Sequence, residues 1–140
     1  MKNWDLGNHS EWYKNWDRFV KFNANPLGKE TNDSAVRALA IAFDMTWYDV
    51  YDELAAIGRQ AGTFGDVSGC VAAFLEKHNA EEVKISRRLW PNVESFAGAH
   101  DKGRYVLLVG MELSVLVDGC VYDTKSCTQK LARKAWRVLD

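Results

Sequence analysis

Apolar residues recur at helical spacing through the first two-thirds of the chain and gather into short β-rich runs in the last third. Trp12, Trp16, Phe19 and Val20 fall on one stripe behind Ser10, a good N-cap, so the spacing predicts a helix from about Ser10 to Phe22. Asn23-Ala24-Asn25-Pro26-Leu27-Gly28 breaks it, because Pro26 biases Asn25 to extended backbone and Gly28 frees the chain. Val36, Leu39, Ala40 and Phe43 share one face of a second predicted helix, Asp33 to Phe43. Its small residues Ala35, Ala38, Ala40 and Ala42 admit close approach of another element. Thr46 and Asp49 resemble a capping box opening a third helix, which carries Val50, Leu54, Ile57 and Ala61 and is ended by Gly62. Val67, Val71, Phe74 and Leu75 predict a further helical stretch from about Asp66 to His78, and a short one follows Pro91.

The pattern changes at Arg104. Tyr105 to Val109 and Leu113 to Val117 read as strands, and Asp118-Gly119 between Val117 and Cys120 is a strong hairpin signal. Lys134 to Val138 adds either a strand or the end of a helix from Thr128. Helices followed by strands indicate α+β, a helical half packed on an antiparallel sheet. Residues 1–140 read as one domain: an aromatic helical segment over 1–24, a helical half over 25–103 and the sheet over 104–140.

Composition narrows the possible functions. The 140 residues are 47% hydrophobic and 26% charged, with two prolines, enough for a core without disulfide or metal staples. A net charge of -1 supplies no field that would hold the protein to nucleic acid or an anionic membrane. The longest apolar run, Tyr105 to Gly110, is far short of the roughly 20 residues of a membrane span. Met1 to Asp5 lacks the basic start and apolar stretch of a signal peptide, so cytoplasm is expected. Cys70, Cys120 and Cys127 are odd in number with no Cys-x-x-Cys pair, and His9, His78 and His100 are scattered, which predicts reduced thiols and neither metal nor cofactor. Gly62-Thr63-Phe64-Gly65 lacks phosphate-loop spacing, and the basic residues from Lys125 to Arg137 read as a solvated face.

The segment Asn25-Pro26-Leu27-Gly28-Lys29-Glu30-Thr31-Asn32-Asp33-Ser34-Ala35-Val36-Arg37-Ala38 resembles a known pattern. In small papain-like cysteine-peptidase-fold proteins of phages and bacteria, mostly uncharacterised, Asn-Pro and a short loop precede Asp-Cys-x-x-Arg-Ala at the start of a buried helix. Trp47-Tyr48-Asp49-Val50-Tyr51 is similar to the family's second helix, His100 to Val106 to its passage into the sheet, and Val117 to Thr124 with Trp136 to its last strands. The resemblance spans about Asn25 to Arg137.

What the resemblance implies is mechanistic. A Cys at a helix N-terminus is the nucleophile, a strand His shuttles the proton, an Asn or Asp orients the His, and donors beside the Cys hold the oxyanion. By motif position the nucleophile falls on Ser34, the His on Glu112, with Met111 or Leu113 one residue either side, and the orienting acid on Asp123. Asn32 and Asp33 flank the cleft, and Lys125 stands where an aromatic commonly follows. With Cys and His both replaced, the implied protein is a catalytically inactive pseudo-peptidase that binds or inhibits another protein, a host factor if it is phage-encoded. Trp12, Trp16, Trp47 and Lys125 are the candidate binding residues. Two alternatives stand beside it: an active peptidase-like hydrolase with Ser34 as nucleophile, and a structural component of an assembly, for which a solvent-facing patch of Trp4, Trp12 and Trp16 is the sign.

Overall fold

The computed structural model describes residues 3–6, 17–30, 32–63 and 67–139. Trp12, Trp16 and most of the expected N-terminal helix lie outside them. The end of that helix is corrected: Phe19–Lys21 is a strand, β1, paired in parallel with Val121, Tyr122 and Asp123. Arg18, at φ 58°, turns the chain just before it, and its carbonyl accepts from Val121 N–H at 2.8 Å. Phe19 and Val20 suit a strand as well as a helical stripe, and a partner a hundred residues away decides between them.

Four helices lie in the stretches predicted for them. Helix α1, Ser34–Phe43, buries seven of its ten residues, as an alanine-rich face allows. Helix α2, Trp47–Ala61, starts where Thr46 Oγ1 accepts from Asp49 N–H at 3.1 Å and ends at Gly62, whose φ of 73° is the left-handed stop glycine supplies cheaply. The next stretch divides into a π-turn, Val67–Val71, and helix α3, Ala72–Lys77, and sets Cys70, Val71, Phe74 and Leu75 inward. After Pro91, Asn92 Oδ1 caps helix α4, Val93–Ala99, by accepting from Ser95 N–H.

The remaining strands are β2 (Glu81–Val83), β3 (Arg104–Val109), β4 (Glu112–Val117), β5 (Cys120–Asp123) and β6 (Lys134–Arg137). The sheet order is β1-β5-β4-β3-β6-β2, antiparallel except at β1. The sheet is therefore mixed and draws its two edges from the segments expected to be helical. Asp118 and Gly119, at φ 47° and 84°, make the tight turn joining β4 to β5. The fold is α+β, with helices on both faces of the sheet. Val106, Leu113, Val115, Cys120 and Tyr122 pack with α1 to α3, while Tyr105, Leu107, Leu116, Val121 and Ala135 pack with α4 and with Cys127 and Ala132. Alternation along each strand separates these two cores.

The aromatic residues at the chain start serve packing where they are described. Trp4 Nε1 donates to Ala40 O at 3.2 Å and Met45 O at 2.8 Å, and its ring meets Phe22 edge-on. Trp4 thus caps the end of α1 and does not join an exposed patch.

Helices α2 and α3 are tied by Glu53, which accepts from Lys77 Nζ at 2.7 Å and lies 2.9 Å from His78 Nε2. Burial works against the Glu53 carboxylate, but the hydrogen bonds and charges of Lys77 and His78 outweigh it and hold its pKa below the ordinary 4.5. A depressed folded-state value means this stabilisation is complete above the unfolded pKa and is lost as pH falls through the folded one. Glu53→Gln is expected to shrink the fall in urea midpoint between about pH 7 and about pH 3. An unchanged fall would remove Glu53 from the acid response.

Candidate functional site

The loop from Asn25 and the start of α1 are built around Asp33. Asn25 Oδ1 accepts from Leu27 N–H at 2.8 Å, an Asx turn over Pro26, and Asn25 Nδ2 donates to Asp33 Oδ2 at 2.8 Å. Trp47 Nε1 donates to the same oxygen at 3.1 Å, and Arg37, one turn along α1, donates through Nη1 to Asp33 Oδ1. Asn25, Asp33 and Arg37 are each 8% exposed, so the charges meet out of water. Asn32, at φ 62°, takes the left-handed conformation that asparagine tolerates and delivers Asp33 to the helix start.

Arg37 reaches the sheet as well. Its Nη2 lies 3.9 Å from Asp123 Oδ1, at the end of β5. Asp123 accepts from Ser114 Oγ at 2.8 Å and from Thr124 N–H at 2.7 Å. The result is a continuous polar chain from Asn25 through Asp33, Arg37 and Asp123 to Ser114, hydrogen-bonded at every step except the longer Arg37–Asp123 ion pair.

Ser34, the first residue of α1, points at β4, where its Oγ accepts from Leu113 N–H at 3.3 Å. The Leu113 side chain packs in the same core as α1, so Leu113 takes the sheet face that looks at Ser34. Glu112 belongs to the other face by strand alternation and is exposed. A one-residue step along a strand reverses the direction of a side chain, and the position facing the hydroxyl carries a hydrocarbon. The space beside Ser34, lined also by Phe22, Tyr122 and Asp123, is about 10 Å³, the scale of one water.

Of the candidate binding residues, Trp47 joins this arrangement and Lys125 does not, and the described cysteines and histidines lie apart from Ser34 or are otherwise engaged. Lys125 is exposed beyond Asp123, and Trp47 is held in the Asp33 cluster. Cys70 is buried. Cys127 is buried too, and desolvation, helped by the Asp123 charge, pushes its thiol up to about 11 against the Ser114 hydrogen bond, which removes it as a nucleophile at neutral pH. His78 is committed to Glu53, and His100 stacks on Phe96 with ring centroids 4.0 Å apart. Among the described residues no group of three His, Cys, Asp or Glu is placed to hold a metal ion, and no helix is long and apolar enough to cross a membrane.

Arg37 and Ser114 are the members of the site that sequence reasoning missed. For Arg37 two signals were available: its place as the arginine of the Asp-Cys-x-x-Arg-Ala pattern, and the Asp33 to Arg37 spacing of four, which puts an acid and a base on the same helix face. Comparison with known protein families, curated proteins and solved structures finds no match to this chain.

Proposed function

We propose that the protein is a catalytically silent, papain-like scaffold that works by binding another protein. One observation carries the reading: Ser34 stands at a helix N-terminus where a nucleophile would be, and the sheet offers it Leu113 in place of a base. A serine hydroxyl needs a proton acceptor within hydrogen-bond reach that is poised near neutrality. Asp123 is engaged by Ser114, Thr124 and Arg37, and Glu112 lies on the opposite face. The cramped space at Ser34 argues further against a reacting substrate there. What supports a retained scaffold is the polar chain itself, which keeps a loop, a helix start and a strand end in one arrangement with no proton relay to serve. Under this reading the target is a protein, a host factor if the chain is phage-encoded.

The test is cleavage of a proteome-derived peptide library followed by mass spectrometry, run beside Ser34→Ala. No cleavage is expected from either chain, and Ser34→Cys is expected to leave a thiol of ordinary reactivity. Cleavage that Ser34→Ala abolishes would establish an active hydrolase instead.

A further inference from the structure

On the side of the α1 start away from Ser34 lies a cleft of about 390 Å³, within the size range of ligand sites. Its floor is apolar, formed by Val36, Leu54 and Cys70, all buried. Gly58 keeps that floor low, because a Cβ there would stand 2.7 Å from the Thr63 carbonyl oxygen and 3.4 Å from Cys70 Sγ. One wall is a solvent-facing stripe of α2, Tyr51, Ala55 and Arg59, spaced one turn apart.

Shape and charge select the occupant. A cleft open along a helix face would leave a small molecule half in water, whereas small-molecule sites bury most of their ligand. A side chain projecting from a polypeptide fills such a cleft while its backbone covers the rim. Arg59 stands exposed at the mouth and makes no ion pair among the described residues. On α2 the positions three and four before it are Ala55 and Ala56, and past the helix end stand Gly62 and Thr63, none of them acidic. Asp33, at the other end, already has Arg37, Asn25 and Trp47 as partners. Among the described residues, the charge left to be matched at the mouth is therefore positive.

We infer that the cleft receives one large apolar side chain of a partner polypeptide, with an acidic residue next to it paired to Arg59. Tyr51, 47% exposed and stacked on Trp47 at 5.2 Å, extends the apolar surface past the mouth. This assignment rests on the protein-binding reading and names where that binding occurs.

The experiment uses the full chain and blocked hexapeptides carrying one leucine, phenylalanine or tryptophan followed by glutamate, serine or lysine, titrated by NMR. Apolar-glutamate peptides are expected to bind about two- to fivefold tighter than their lysine counterparts, the scale of an exposed ion pair. Ala55→Trp, which fills the cleft from its exposed wall, is expected to weaken binding by about tenfold or more. Arg59→Glu is expected to reverse the flank preference. Both positions are exposed, so circular dichroism should show the native fold in each variant. Binding that Ala55→Trp leaves intact would overturn this cleft while sparing the protein-binding reading, and absence of binding by every peptide would overturn the cleft assignment. Ser34-dependent cleavage of the peptides would sink the silent-scaffold reading alone, with Ala55→Trp still deciding the cleft.

Discussion

Arg37→Met is expected to destabilise the fold by about 3–5 kcal/mol, the cost of breaking a buried ion pair from one side. Arg37 is the only cation the structure places between the Asp33 and Asp123 carboxylates among the described residues, whose side chains are 10% and 18% exposed. Methionine keeps the length of the stem and removes the guanidinium, so Asp33 loses its ion-pair partner and Asp123 keeps only neutral donors. For a domain whose whole stability is on the order of 5–15 kcal/mol, this is a large fraction. The cause is separable from lost packing. Adding Asp33→Asn to Arg37→Met leaves the Asn25 and Trp47 contacts a carboxamide to work with and removes the uncompensated charge, so the double variant is expected to recover a substantial part of the loss. Urea denaturation of the three chains measures it. A loss below about 1 kcal/mol for Arg37→Met would show that water already serves these carboxylates, and that the network is not what holds the α1 start against β5.

What the sequence discloses follows the range of the interactions. Helices α1 and α2 were legible because their signals are local: a 3.6-residue stripe, Thr46 at one end and Gly62 at the other. The hairpin at Asp118-Gly119 was legible for the same reason, since both residues must take positive φ. Strands β1 and β2 were not, because three residues carry no period of their own, and each exists through a distant partner, Val121–Asp123 for one and Ala135–Arg137 for the other. Within the site, Asn32, Asp33, Ser34 and Asp123 were reached through the resemblance; Arg37 links Asp33 with Asp123, Ser34 and Asp123 line one small space, and Asn32 contributes a backbone turn. Glu112 was reached by counting along a strand, where an offset of one residue changes the face. Ser114 sits in an apolar β run and offers no pattern at all. Its role appears only once β5 brings Asp123 beside it.

Phe74→Ala is expected to cost about 3–5 kcal/mol, at the upper end for a core truncation. Phe74 is fully buried on α3, its ring edge-on to Phe43 of α1 with centroids 5.5 Å apart and tilted by 30° to the His78 ring at 4.3 Å. Alanine would leave a void between α1 and α3 and withdraw the surface on which the His78 ring rests. The second consequence distinguishes this site from an ordinary cavity. His78 reaches Glu53 from that resting place, so Phe74→Ala should loosen the tie between α2 and α3 as well as empty the core. A double-mutant cycle with Glu53→Gln is therefore expected to be non-additive, the combined loss falling short of the sum of the two single losses. Phe74→Leu, which refills most of the volume without the ring, should recover packing more than coupling. Strict additivity would show that His78 holds its position without the Phe74 ring, and a loss near 1 kcal/mol for Phe74→Ala would mean that α3 collapses onto the gap and that the core relies on α1 and the sheet alone.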